Sequence, residues 1–156
     1  MTFLRRRVWD PLVALLKQGT SPEKLSLSIA LGAVLGIFPI LGATTFLCFC
    51  AGVLLRLNHA ALQLVNYLVY PLQIPLILLF VRLGERLVGA PPTSFSPLAL
   101  AGEFREAPSA FLMKFGWTGL RGILAWTVVA PVAGIVIYFG TLPALRRAAK
   151  LLRPEC

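Results

Sequence analysis

Three apolar runs separated by short polar stretches organise this chain. The first, Leu25–Leu55, contains no charged residue between Lys24 and Arg56. As one helix it would reach about 46 Å at about 1.5 Å per residue, against a hydrocarbon core near 30 Å. A straight crossing needs a tilt of about 50°, or about 40° if Ser26 and Ser28 stay at the interface, at or past the edge of the usual range. Pro39 and Gly42 offer another solution, since proline removes a helix donor and glycine permits a turn. Each half-helix is then about 14 residues, roughly 21 Å, too short to cross. The pattern predicts a re-entrant helical hairpin.

The second run, Leu57–Val81, holds the polar residues Asn66 and Gln73 at membrane depth, and two prolines, Pro71 and Pro75. The prolines predict an interrupted helix with freed carbonyls that neighbours, side chains or water must satisfy. Two readings stay open. The amides stabilise a kink through hydrogen bonds, or the broken helix coordinates a ligand or headgroup near the midplane. Arg56 and Asn58 before this run, and Arg82 and Glu85 after it, are polar punctuation at the membrane edge; Arg82 and Glu85, three apart, can pair weakly at an exposed edge. Gly89 with Pro91-Pro92 ends the helix. The third run, Gly122–Pro143, has the length of one crossing. Pro131 predicts a kink in it, and Trp117, Trp126 and Tyr138 act partly as interface anchors.

Between and before these runs lie surface segments. Asp10-Pro11 and Ser21-Pro22-Glu23 are helix starts, with Pro at N1 and, at the second, Ser21 as cap. Leu12, Leu15 and Leu16 share a face after Arg5-Arg6-Arg7 and Trp9, so residues 1–24 read as a basic helix lying on the membrane or packed on the bundle ends. Ser96-Pro97 and Ala107-Pro108 start two short surface helices in Thr93–Phe115.

Composition agrees with a lipid-solvated chain. The 156 residues are 58% hydrophobic and 13% charged, with mean hydropathy +0.82, against roughly a quarter charged in soluble domains. The fold class expected is an all-α integral membrane protein: a broken or re-entrant hairpin, then two spanning helices, with short interfacial amphipathic helices, all one domain over 1–156. The net charge of +9 does not indicate nucleic acid, because the basic residues cluster at Arg5, Arg6, Arg7, Lys17 and Lys24 and again at Arg146, Arg147, Lys150 and Arg153. That is a positive-inside pattern suited to anionic lipid headgroups, and it places both termini in the cytoplasm with Arg82 and Arg86 outside. If the second run is also re-entrant, those arginines return inside.

Candidate chemistry is sparse. Cys48 and Cys50 lie on different helix faces as small hydrophobes, and Cys156 is the last residue, which is not the position of a prenylation box. No secretory signal peptide is evident, since the first hydrophobic run begins late and is too long for an h-region. His59 is the lone histidine, an interfacial contact rather than a metal ligand. There is no HExxH, GxSxG or phosphate loop, and Glu85, Glu103 and Glu106 are peripheral, so neither an enzyme nor a cofactor is expected. The polar groups at depth are Asn66, Gln73, Thr44 and Thr45. Next to the breaks at Pro39, Gly42, Pro71 and Pro75 they form the candidate ligand site.

Gly19-Thr20-Ser21-Pro22-Glu23-Lys24, Gly32-x-x-x-Gly36-x-x-Pro39-x-x-Gly42, Leu54-Leu55-Arg56-Leu57-Asn58, Pro71 with Pro75, and Arg82-Leu83-Gly84-Glu85 together resemble the DUF2062 family of small bacterial membrane proteins. The resemblance covers about residues 17–89; Tyr70-Pro71 stands where many members carry Asn-Pro. It implies a bacterial inner-membrane protein and brings no biochemical function. Some members resemble the membrane tail of glycosyltransferases, which hints at envelope glycolipid or lipid-carrier work. Two functions follow as expectations. One is handling of a lipid, lipid-linked envelope precursor or small solute at a broken-helix site. The other is a non-catalytic assembly or anchoring subunit, with Gly32-x-x-x-Gly36 as a close-approach motif towards a membrane partner or a second copy.

Overall fold

A computed structural model describes residues 20–93 and 105–152. The basic segment before Thr20, with its Asp10-Pro11 helix start, and the Ser96-Pro97 start lie outside these residues. Four helices follow in order: α1 Pro22–Gly36, α2 Ala43–Leu54, α3 His59–Leu87 and α4 Pro108–Leu152. No strand occurs among the described residues.

Local chemistry sets the ends. Ser21 caps α1 by accepting the Lys24 amide, with Pro22 at the first helical position. After Gly36 the chain turns over residues 37–42, and Gly42, at φ 83°, opens α2 in a left-handed conformation that favours glycine. Asn58 caps α3 through the Ala61 amide and reaches back to Thr20 Oγ1, while its own N–H donates to Ser28 Oγ at 3.2 Å. The start of α1 and the end of α2 therefore lie at the same end of the bundle. Leu27, Leu31 and Leu35, one stripe of α1, pack on Cys48, Leu57 and Leu62 to hold the two short helices together.

The long helices make the frame. Helix α3 has 29 residues, about 43 Å, and α4 has 45, about 68 Å. Helices α1 and α3 run parallel, starting together at the Leu25–Ala61–Leu145 cluster. Helix α4 runs back antiparallel: it crosses α3 where Gly84 meets the Arg121 backbone and Gly122 meets Val81. It ends with Ser26 Oγ donating to the Tyr138 carbonyl and meeting Thr141 Oγ1, and with the Arg146–Glu23 ion pair at 3.0 Å. The α1–α2 hairpin thus occupies one half of the frame, its tip against Gln73 at the middle of α3.

Three expectations change. Pro71 and Pro75 do not interrupt the helix, which continues through both. They are four apart on the outward face, opposite Asn66, Gln73 and Phe80, so their rings meet no neighbouring helix and the packed face holds the helix together. The segment after Ala107-Pro108 is not a separate surface helix, because α4 runs unbroken from Pro108 through Gly116 and Pro131. The Phe111–Phe115 stack and Thr118 Oγ1 bonding back to the Lys114 carbonyl bridge that stretch. Finally, Gly32-x-x-x-Gly36 is used within the chain: a Cβ on Gly32 would lie 2.7 Å from the Leu62 carbonyl oxygen, and one on Gly36 would strike Val69.

Candidate functional site at the hairpin tip

A helix that stops halfway along a bundle leaves carbonyls without partners at its end and N–H groups at the start of its successor. Here the two long helices supply donors to the first of these. Trp126 of α4 donates from Nε1 to the Val34 carbonyl at 3.0 Å, its ring edge-on to Phe38 at 5.0 Å. Gln73 of α3 donates from Nε2 to the Phe38 carbonyl at 3.0 Å and the Ile40 carbonyl at 3.4 Å. Residue spacing did not reveal the role of Trp126. The available signal was an indole N–H well inside an apolar span, where it needs an acceptor.

A second set of bonds ties the first turn of α2 to α3. Gln63 Nε2 donates to the Thr45 carbonyl at 3.1 Å. Asn66 Nδ2 donates to Gln63 Oε1 at 3.2 Å and to Thr45 Oγ1 at 3.5 Å. The predicted role of Asn66 and Gln73 in stabilising a proline kink is not what the structure shows, because both amides reach the hairpin. Thr44 is buried and Thr45 exposed. Helix α2 has no side-chain cap, so its first-turn N–H groups open at this tip.

Asn66 and Gln73 are fully buried, yet Asn66 Oδ1 and Gln73 Oε1 have no hydrogen-bond partner among the described residues. Gln73 cannot be turned to relieve this, since both groups facing its nitrogen are carbonyls. Asn66 Oδ1 faces Gly36, where an added Cβ would lie 3.1 Å from it. A buried acceptor left unpaired costs about 1–3 kcal/mol.

The other predicted polar residues lie elsewhere. Arg56, at φ 51°, and Asn58 are at the base of the hairpin. His59 tilts against Phe49 at 5.5 Å over Gly52. Arg82 and Glu85 pair at 3.0 Å at the far end. Only its acidic half is buried: Arg82 is exposed, whereas Glu85 is 2% exposed and also accepts the Thr93 amide at 2.8 Å. The chain after α3 folds back to cover it, and Thr93 Oγ1 meets Thr118 Oγ1 of α4. Among the described residues no cluster of histidine, cysteine or acidic side chains is arranged to hold a metal.

Two apolar depressions flank the tip. One of about 550 Å³ runs between α1 and α4, from Leu27 and Phe139 to Leu35 and Trp126. The other, about 420 Å³, lies over Pro39, Ile40 and Leu41 beside Gly119 and Ile123.

No curated protein and no solved structure matches the chain. A family model described as an uncharacterized protein conserved in bacteria (DUF2062) matches residues 3–153, nearly the whole sequence, and the chain belongs to that family.

Proposed function

We propose that this is a bacterial inner-membrane protein that handles a lipid, or a lipid-linked envelope precursor, whose headgroup carries hydroxyls. The observation that carries this reading is the pair of buried, unpartnered amide oxygens, Asn66 Oδ1 and Gln73 Oε1, beside the tip of a hairpin ending at mid-bundle. In this reading α3 and α4 cross the bilayer. Both are long and apolar enough to do so, and only 28% and 17% of their most apolar stretches are buried inside the molecule. Their apolar side chains face outward, as lipid-solvated helices require and core helices of soluble proteins do not. In this reading the α1–α2 hairpin enters from the face that carries Lys24, Arg56, Arg146 and Arg147, taken as cytoplasmic because the basic clusters of both ends of the sequence adjoin these residues, with Arg82 and Arg86 on the other side.

The chemistry of the tip favours hydroxyl groups, which both donate and accept. The amide oxygens need donors, and the uncapped first turn of α2 offers N–H donors. An acyl chain fits the apolar groove between α1 and α4. The test is translocation of an acyl-labelled fluorescent phosphatidylglycerol across liposomes of the same lipid, read by quenching of the outer leaflet. The full chain should accelerate exchange over empty liposomes, and Asn66→Ala and Gln73→Met should each slow it severalfold. Unchanged exchange in both variants removes the site.

A further inference from the structure

The outward face of α3 presents an unusual stripe. Tyr67, Tyr70, Pro71, Ile74, Pro75 and Leu78 recur at helical spacing, and Tyr67 and Tyr70 are 62% and 51% exposed. The uncharged stretch Ala60–Val81 is roughly 33 Å long, and Tyr70 and Pro71 are at its centre. If α3 crosses the bilayer, two phenol hydroxyls face the middle of the hydrocarbon. Neither has a hydrogen-bond partner within its own fold among the described residues. Proline lacks an N–H, so the carbonyls of Tyr67 and Pro71 lose the amide four residues ahead that a helix normally supplies. One helix face thus carries two donors and two acceptors at the depth where no water answers them.

We infer that a second copy of this chain covers this face, with the two α3 helices side by side about a two-fold axis along the membrane normal. The face is self-complementary, which suits a like partner. Under that symmetry matching residues lie at equal depth. A helical side chain leans towards the N-terminus while a carbonyl points towards the C-terminus, so the Tyr70 hydroxyl of one copy comes level with the Tyr67 carbonyl of the other. Each copy supplies what the other lacks. Gly32 and Gly36 take no part, being packed against α3 of their own chain. The pairing concerns the outer face of α3 and is independent of ligand binding at Asn66 and Gln73.

The experiment is subunit counting by photobleaching of the full chain, singly labelled, in phosphatidylethanolamine–phosphatidylglycerol vesicles over a range of protein-to-lipid ratios. Dimers should predominate at the higher ratios. Tyr67→Phe with Tyr70→Phe should raise the dissociation constant on the order of tenfold, as expected for several interhelical hydrogen bonds lost in lipid. Pro71→Ala with Pro75→Ala, which returns the missing N–H donors, should weaken pairing comparably while leaving the helix intact. In a chain lacking Cys48, Cys50 and Cys156, Tyr67→Cys should form a disulfide between copies in native membranes. Monomers at every ratio, a dimer indifferent to both double substitutions, or a Tyr67→Cys adduct with a different protein would each overturn the inference.

Discussion

Gln73 and Trp126 hold the hairpin by its carbonyls, and each makes a different prediction. Gln73→Met keeps the volume but withdraws donors from Phe38 and Ile40, so unfolding in detergent mixtures should be easier by about 1–3 kcal/mol. Trp126→Phe retains an aromatic ring beside Phe38 and loses the bond to Val34, a smaller loss of about 1 kcal/mol. Glycines divide the same way. Gly36→Ala drives a methyl into Val69 and towards Asn66, whereas Gly116→Ala enters open space. The first should destabilise by about 1–3 kcal/mol, and the second should stabilise by up to about 1 kcal/mol through helix propensity, as read from the same detergent titration. The sequence named Gln73 and Asn66 because amides in an apolar run are conspicuous. It did not say which acceptors on the hairpin they serve, the Thr45 hydroxyl for Asn66 and the Phe38 and Ile40 carbonyls for Gln73, since those lie some 20 to 35 positions earlier and only the fold brings them near.

Among the elements, the α1–α2 hairpin was legible and the long helices less so. Pro39 and Gly42 sit together in the turn, where proline removes a helix donor and Gly42 takes the left-handed conformation. Pro71 and Pro75 misled because proline weakens a helix only in its own hydrogen bonds, while the packed face of α3 decides whether it continues. The ion pairs show the same divide. Arg82 and Glu85 are close in sequence and could be paired on paper, but the burial of Glu85 depends on Thr93 folding back. Glu85→Ala should therefore cost about 2–3 kcal/mol, with loss of protease resistance in the segment after α3 as the readout.

The Glu23–Arg146 pair joins α1 to α4 across 123 positions, which no local pattern announces. The backbone N–H of Glu23 itself, then the Arg146 guanidinium, hold the Glu23 carboxyl below its ordinary value of 4.5. A depressed pKa in the folded state contributes stability above the unfolded value, and that contribution is lost as pH falls through the folded value. Glu23→Gln should therefore flatten the stability profile only in acid, below about pH 4.5, and the pair, being exposed, should weaken with salt.

For the whole molecule, the arrangement is a half-length hairpin cradled by two full-length helices. Its start, its end and the last turns of α4 are gathered at one end, and Arg82, Glu85 and Arg121 at the other. Basic residues stand at both ends, Lys24, Arg56, Arg146 and Arg147 at one and Arg82, Arg86 and Arg121 at the other, so the sidedness has to be measured. The most direct measurement is labelling with an impermeant thiol reagent from each side of the membrane, in a chain lacking Cys48, Cys50 and Cys156 and carrying a single cysteine at Lys24, Arg56 or Arg86. Lys24→Cys and Arg56→Cys should react from the cytoplasmic side and Arg86→Cys from the other. Labelling of Lys24→Cys and Arg56→Cys from opposite sides would contradict this, because the first apolar run would then cross the bilayer instead of turning back within it.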